Sequence, residues 1–203
     1  MAIIADITQL RALLGEPNPQ VPRKIHRRLN RQAQAFIARA PMMFLATTDV
    51  SGQSTVSPKG DGPGFARVAD DQTLLIPEQK GNKLLFSLQN VLANPRVSMI
   101  FLVPGTSETL RIAGTAQLLD DRELCAALVE RDRPALLVIR VRVTECYFHC
   151  AKAFLRSDLW NPTSWPEPVK ISFGEEIAEE GGLAVEQIAG FDAGVQGRYR
   201  TDL

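Results

Sequence analysis

The sequence predicts a mostly β protein of the α+β class, in which helices flank a small antiparallel barrel. Strand-like segments follow one another closely, and their connections are too short for the crossovers that parallel strands require. The order of strands and helices also differs from the repeated β–α–β pattern of a parallel sheet. A long segment from Leu136 alternates apolar and polar residues, as a strand with one buried face does.

The composition is that of an ordinary soluble globular protein and argues against several other classes. Of the 203 residues, 45% are hydrophobic and 23% are charged. The 23 basic residues balance the 23 acidic ones, whereas a dedicated nucleic-acid binder usually carries a basic excess. The three cysteines do not form a disulfide framework. Neither a secretory signal nor a membrane span is evident, so we expect a cytoplasmic protein without nucleic-acid or membrane partners.

Two helices are predicted before the first strand. In the first, Asp6 is the N-cap, Gln9 follows three residues later and Gly15 lies just past the end. The second begins at Pro22 and carries a basic face, which is suited to nucleic acid or an acidic partner but is more simply a solvated face. The apolar positions are Ile7, Leu10 and Leu14 in the first helix and Ile25, Leu29, Ala33, Phe36 and Ala40 in the second; the basic ones are Arg23, Lys24, Arg27, Arg28 and Arg31.

From Met43 onward the patterns predict strands that are interrupted by two helices. Asp49 to Gly52 and Pro104-Gly105 are typical of hairpin turns, residues 58–64 of a loop, and Pro77 of a strand end. The predicted strands are Met43 to Thr48, Gln53 to Ser57, Thr73 to Ile76, Val97 to Val103, Thr109 to Leu118 and the strand from Leu136; the helices run from near Asn82 to Asn94 and from Asp121 to Arg131.

One domain with three parts accounts for this order of elements. N-terminal helices occupy residues 1–40, the barrel core residues 41–148, and a helical and irregular extension residues 149–203. After Cys146 the pattern is helical again, then irregular around several prolines, and weakly helical to the end.

The strongest candidate for a ligand site surrounds Asn82. Lys80 and Lys83 flank the predicted start of a helix, where the helix dipole makes cations unfavourable by roughly 0.3–1 kcal/mol each. A bound anion reverses the sign, because free backbone N–H groups, the dipole and two ammonium groups then act together. The stretch therefore predicts a phosphate site, with two solvated lysines as the alternative.

Two further stretches carry weaker signals. The loop Ser57-Pro58-Lys59-Gly60-Asp61-Gly62 combines a hydroxyl, a cation and glycines that allow close approach to a ligand, although an ordinary connection has the same composition. Thr109 and Arg111 share one face of a strand. Arg111 is suited to a ligand, a subunit boundary or solvent, and alternation alone does not choose among them.

The segment Cys146-Tyr147-Phe148-His149-Cys150 holds potential metal ligands, but the remaining Cys125 and His26 belong to no ligand motif, so we expect no metal. A Cys–His nucleophile would lack an orienting partner. We interpret the segment as a strand end that passes into a helix. Nucleotide-hydrolysing, Rossmann, α/β-hydrolase and zinc-protease motifs are absent. The polar residues on or near one face of that helix are His149, Lys152 and Arg156.

In their order and spacing, several segments resemble pyridoxamine 5′-phosphate oxidase-like FMN-binding proteins, over roughly residues 20–170. The C-terminal part of this stretch resembles a bacterial subgroup related to that oxidase. The segments that carry the resemblance are Phe44-Leu45-Ala46-Thr47-Thr48, Val56-Ser57-Pro58-Lys59-Gly60-Asp61, Leu75-Ile76-Pro77, Lys80-Gly81-Asn82-Lys83, Ser87-Leu88-Gln89-Asn90-Val91, Phe101-Leu102-Val103-Pro104-Gly105, Glu108-Thr109-Leu110-Arg111, and His149 to Ser157 with Leu159-Trp160.

The resemblance implies a split β-barrel that forms a homodimer and binds FMN at the boundary between its two subunits. Ser57 and Lys59 would approach the flavin ring or ribityl chain, and Pro58 and Gly60 of the same loop would also bind the cofactor. Ile76 and Pro77 would run beside the ring, and the phosphate would be held by Lys80, Asn82 and Lys83. Thr109 and Arg111 would reach in from the partner chain.

The substrate is not implied by the resemblance. The C-terminal arginine and histidine positions by which the oxidase binds pyridoxal phosphate cannot be matched to this sequence. The leading hypothesis is therefore an FMN-dependent oxidoreductase acting on an unidentified small molecule. The alternatives are a non-catalytic flavin-binding or flavin-storage protein and a module that binds nucleic acid or an acidic partner. Candidates for the substrate side of the flavin are His149, Lys152, Arg156 and Trp160.

Overall fold

Strands make up much of the chain between Met42 and His149. The structure, a computed structural model, describes residues 3–202; Met1, Ala2 and Leu203, which the predicted terminal segments include, lie outside the described residues. The strands are β1 (Met42–Thr48), β2 (Ser54–Gly60), β3 (Arg67–Asp70), β4 (Thr73–Glu78), β5 (Arg96–Leu102), β6 (Thr109–Leu119), β7 (Val129–Glu130), β8 (Arg133–Pro134) and β9 (Leu137–His149).

Helices precede, interrupt and follow these strands. Short 3-10 helices cover Val21–Lys24, Pro162–Ser164 and Val185–Gln187. Within residues 3–202, no helix is long and apolar enough to cross a membrane. The α-helices are α1 (Ile7–Leu14), α2 (Arg31–Ile37), α3 (Phe86–Ala93), α4 (Arg122–Ala127), α5 (Lys152–Ser157), α6 (Phe173–Glu179) and α7 (Ile188–Thr201).

One sheet contains all the long strands, in the order β2-β1-β5-β6-β9-β4-β3, and each neighbouring pair is antiparallel. The first half of β9 pairs with both β4 and β6, so this strand joins the two parts of the sheet. The register of β6 on β9 shifts between Ala113 and Gly114, and such a bulge increases the local twist. The α+β class and the antiparallel split-barrel fold are confirmed.

The core is formed by the inward residues of this sheet together with α2 and α3. Alternation in β9 is as predicted, because Ile139, Val141 and Val143 are buried while Arg140 and Arg142 are exposed. Burying one face of each strand supplies most of the stabilisation. The largest fully buried side chains are Phe65, Phe101, Leu29, Ile37, Met43, Leu45, Leu74, Ile76, Met99, Leu110, Ile112 and Ile139.

The second predicted helix is wrong in its first half, since the chain is extended between a 3-10 turn and α2; only Arg31–Ile37 is α-helical. The backbone N–H of His26 donates to the carbonyl of Cys146 at 2.9 Å, and the N–H of Cys146 donates back at 2.8 Å. Asn30 then caps α2 through its Oδ1, which accepts from the Ala33 N–H at 2.9 Å. The basic residues between Arg23 and Arg31 therefore do not share a helix face, which is the feature on which the nucleic-acid alternative was based.

Several predicted strand ends are also wrong. Strand β2 continues through Pro58 to Gly60, which proline tolerates because β2 is an edge strand. Pro77 lies inside β4, beyond the pairing with β3, where β4 has β9 as a neighbour. Strand β3 was not predicted. The β5–β6 hairpin and the hairpin around Asp49 to Gly52 are confirmed.

Three helical predictions need correction in their bounds or their burial. Helix α4 ends at Ala127 rather than Arg131, because the backbone leaves the helical region at Leu128 and continues into β7. Arg131 and Asp132, with positive φ angles, form the β7–β8 turn. The helix expected after Cys146 begins at Lys152, because β9 remains paired with β6 as far as His149. The first helix is confirmed with its cap at Asp6, but its apolar face is exposed.

Candidate functional site

A cleft lies between the C-terminal ends of β2 and β4 and the first turn of α3. It has two adjoining parts, of about 260 Å³ and 340 Å³, which share the residues from Glu78 to Asn82 together with Ser57 and Lys59. Cavities of this size are typical of small-ligand sites. The predicted cofactor residues that line the cleft are Ser57, Pro58, Lys59, Gly60, Pro77, Lys80, Asn82 and Lys83.

The predicted helix start near Asn82 is wrong, because α3 begins four residues later at Phe86. Lys83 and Leu85 have positive φ angles of 62° and 59°, which interrupt the helical backbone. Asn82 caps a turn instead, with its Oδ1 accepting from the Leu84 N–H at 3.0 Å. The 260 Å³ part of the cleft is nevertheless lined by both lysines and by the first turn of α3, so the two features are still brought together.

The Lys59 side chain is paired across the cleft. Its Nζ lies 2.7 Å from Oε1 of Glu78, and the two side chains are 16% and 17% exposed. Because Glu78 compensates the charge of Lys59, the pair contributes hydrogen-bonding groups rather than net positive charge. Sequence reasoning did not identify Glu78, although it stands two residues before Lys80.

An unpaired donor also lies in the cleft. Nε2 of Gln79, which lines both parts, is buried and has no hydrogen-bond partner within residues 3–202. A buried N–H group without a partner is costly, so a ligand that offers an acceptor here would be favoured. Close by, the hydroxyls of Ser57 and Ser87 hydrogen-bond to each other and link β2 to α3.

Polar contacts near the cleft involve Arg131, Arg133 and Asp202, which sequence reasoning missed, together with Asp61 of the predicted loop. Nε of Arg131 lies 3.0 Å from Oδ1 of Asp61, which joins the β7–β8 hairpin to the end of β2. Nζ of Lys80 lies 2.7 Å from Oδ1 of Asp202, and Nη2 of Arg133 donates to the Thr201 carbonyl at 3.0 Å. No local pattern indicates these contacts, since their partners are distant in sequence.

Ile76, Thr109 and Arg111 are not among the residues that line the cleft. The side chain of Ile76 is fully buried in the core, so only its backbone is available to a ligand, and its place beside the ring stays a prediction. Thr109 is buried opposite His149 in the β6–β9 register. Arg111 lines a separate cavity of about 280 Å³ with Phe44 and other residues, and its buried Nε has no hydrogen-bond partner in the described part of the chain.

The candidate substrate residues lie at the end of β9 and in the segment that follows it. Burial lowers the pKa of His149, and the charges of Arg111 and Lys24 act in the same direction. Lys152 and Arg156 are exposed on α5. Trp160 donates from Nε1 to the Thr106 carbonyl at 2.9 Å and stacks on Phe154, which ties this segment to the β5–β6 turn. The roles of these four residues stay predictions.

A cavity of about 530 Å³ that was not predicted lies between α2 and the last residues of β9. Phe36 and Phe148 meet edge to face at its wall, with ring centroids 5.4 Å apart. Nζ of Lys24 lies 5.9 Å from the centroid of the Tyr147 ring, a distance suited to a cation–π contact. The cavity depends on the extended stretch before α2, for which the sequence predicted a helix.

Solved structures that are similar to this chain come from several bacteria. HupZ of Group A Streptococcus is 20% identical and covers 59% of this chain and 92% of its own, with a TM-score of 0.48. An FMN-binding protein of Syntrophomonas wolfei subsp. wolfei is 12% identical over 60% of this chain and 86% of its own (TM-score 0.49). A protein of the pyridoxinephosphate oxidase family from Clostridium acetobutylicum, related to general stress protein 26, is 11% identical over 58% and 85% (TM-score 0.45).

Sequence comparison gives the stronger result. No curated protein matches the chain. A family model described as pyridoxamine 5′-phosphate oxidase matches residues 29–150, which include all strands of the sheet and the cleft lining up to Leu137. Because this match spans more than half of the sequence, the chain belongs to the pyridoxamine 5′-phosphate oxidase family.

Proposed function

We propose that the protein binds FMN in the cleft and acts as an FMN-dependent oxidoreductase on a small molecule. The observation that carries this proposal is the meeting of Lys80, Lys83 and the first turn of α3 in one cavity. The leading residue of that turn makes no side-chain capping hydrogen bond, so backbone N–H groups remain for an anion. Membership of the family supports a flavin nucleotide as the ligand whose phosphate group binds here.

The other cleft residues fit the remainder of the cofactor. Nε2 of Gln79 would donate to an acceptor of the ring or ribityl chain and so gain a hydrogen-bond partner. Pro58, Gly60 and Pro77 line the 340 Å³ part together with polar residues such as Asp61 and Asn82, which suits a ring whose edges carry hydrogen-bonding groups. When bound, the flavin supplies hydride or electron transfer; Lys59 and Glu78 would hold hydrogen bonds to it without adding net charge.

We also propose that the active form is a homodimer, in which Thr109 and Arg111 complete the partner's cofactor site. The face that carries Arg111 is apolar and open, since Phe44 and Val56 on it are 36% and 63% exposed. The unpaired Nε of Arg111 would obtain an acceptor across the boundary. This proposal accounts for cofactor residues that lie apart on a single chain.

The phosphate assignment is tested by comparing FMN with riboflavin. Replacing Lys80→Ala together with Lys83→Ala should weaken FMN binding by about tenfold or more for each charge-assisted hydrogen bond that is removed, while riboflavin binding changes little. Binding is measured by quenching of flavin fluorescence. Arg23→Ala with Lys170→Ala, which removes two positive charges from exposed positions outside the cleft, is the matched control. Equal decreases in affinity for both flavins would remove the assignment.

Catalysis is tested separately from binding. The purified protein should be yellow, and its visible spectrum should bleach with reduced nicotinamide or a substrate and recover with oxygen or another acceptor. Bound FMN that no electron donor reduces would favour the carrier hypothesis. A colourless protein that takes up no added FMN would contradict the cofactor proposal itself.

A further inference from the structure

The last turn of α7 lies against the cation that the proposed function assigns to phosphate. Asp202 accepts from Nζ of Lys80 at 2.7 Å, and the neighbouring Thr201 carbonyl accepts from Nη2 of Arg133 at 3.0 Å. The Asp202 side chain is 21% exposed, so it is covered by its surroundings, whereas Lys80 remains 56% exposed. Lys80 also lines both parts of the cleft.

This turn offers oxygen acceptors and negative charge, as a phosphate group does. The C-terminus of a helix carries partial negative charge from its unpaired carbonyls, and Asp202 adds a carboxylate to it. The pKa of Asp202 is lowered, chiefly by the hydrogen bond from Lys80, and the Thr201 hydroxyl and the charges of Lys80 and Arg133 act in the same direction.

We propose that the end of α7 competes with anions for Lys80. Asp202 is paired with Lys80 when no anion is bound, and an incoming phosphate group displaces Asp202. The inference rests on the proposed function, since it takes Lys80 as a phosphate-binding residue. Displacement is feasible because a half-exposed ion pair is weak and screened by salt. A phosphate monoester carries more charge and more acceptor oxygens than one carboxylate, so it is the stronger partner for Lys80.

The C-terminal helices can move without opening the core. Helices α6 and α7 pack on each other, where the Gly174 N–H donates to Oδ1 of Asp192 at 2.9 Å and a Cβ on Gly174 would meet the Ile188 backbone at 2.9 Å. Val195 is the buried residue of α7, and it belongs to neither of the two core clusters. Release of the last turn therefore requires no rearrangement of the sheet.

The first test compares flavin binding by Asp202→Asn and by the unaltered full chain. Removing the competing charge should tighten FMN binding about two- to fivefold, the range expected for an exposed ion pair, and leave riboflavin binding unchanged. Glu186→Gln removes an equal charge from an exposed position of the same C-terminal region, for which residues 3–202 show no ion pair, and should change neither. Unchanged FMN binding in Asp202→Asn would overturn the proposal. Weaker binding would also overturn it, because the turn would then act as a lid that supports the ligand.

The second test needs no flavin, so it separates this inference from the proposed function. Hydrogen exchange of the amides in the last turn of α7 is measured on the full chain with inorganic phosphate and with chloride at equal ionic strength. Phosphate should speed exchange of these amides, and Asp202→Asn should speed it without phosphate. Exchange that phosphate does not change would overturn the inference even if FMN binds, whereas faster exchange would support it even if the protein proves not to bind FMN.

Discussion

At the scale of single residues, the three cysteines have very different surroundings. Cys146 lies in the core, and burial raises the pKa of its thiol to about 11. Cys125, a residue of α4, is buried in a smaller cluster, and Cys150 is exposed after the end of β9. Because the thiolate is the reactive form, Cys146 stays protonated and unreactive near neutral pH.

We therefore expect a thiol reagent at pH 7 to label Cys150 quickly in the native protein and the two buried cysteines slowly. Raising the pH to 9 should not make Cys146 reactive, since its pKa lies well above that value. Mass spectrometry of digested samples locates the label. Cys150→Ser should remove the fast phase, and denaturant should make all three thiols react. Rapid labelling of Cys146 in the folded protein would contradict its place in the core.

At the scale of elements, the bulge between β6 and β9 depends on the absence of a side chain at Gly114. A Cβ at this position would lie 2.3 Å from the Arg142 carbonyl oxygen and 2.8 Å from Cγ1 of Val141. Neither the backbone nor a β-branched side chain in the core can move away cheaply. The glycine therefore allows the close approach by which these two strands bend.

Gly114→Ala should lower the free energy of unfolding by about 1–3 kcal/mol, the usual cost of overpacking a core. Gly197→Ala is the matched control, because its Cβ would meet nothing within 4 Å and alanine favours the interior of α7. That change should stabilise the helix by about 0.5–1 kcal/mol. Both values come from denaturant unfolding followed by circular dichroism. A neutral effect of Gly114→Ala would mean that the strands approach less closely than the structure shows.

At the scale of the whole molecule, one face of the sheet is both apolar and open. Phe44 and Val56 lie on it beside the cavity that holds Arg111. Apolar residues grouped on an exposed face, here beside the charged Arg111 and Glu145, are typical of an interaction surface. The open face therefore supports the proposed homodimer.

Val56→Lys should convert the dimer to monomers and weaken FMN binding, because a lysine on this face would be buried without a partner. Val50→Lys, at an exposed hairpin position, makes the same chemical change away from the face and should leave both properties unaltered. Light scattering measures the mass and fluorescence quenching the binding. A wild-type protein that is monomeric at all concentrations would refute the dimer proposal.

The elements that sequence reasoning predicted correctly depend on residues near one another in the chain. Asp6 and Gln9 mark the start of α1 within one turn, and Pro104-Gly105 marks the β5–β6 connection. The alternation in β9 reflects which face of a single strand is buried. Such signals need no knowledge of distant residues, so the antiparallel arrangement and the fold class followed from them.

Features that the sequence did not predict have distant partners. The stretch around His26 has helical spacing, yet it is extended because the backbone of Cys146 pairs with it. Likewise, Pro77 remains in β4 because β9 continues beside it.

By itself, the sequence determined the α+β class, the family of the chain and the lysine-rich segment after β4. Only the tertiary structure decided what meets those lysines: the first turn of α3, the unpaired amide of Gln79, and Asp202, which lies 122 residues from Lys80. The physical reason is that periodicity and capping act through neighbouring residues, whereas hydrogen bonds and ion pairs act through space.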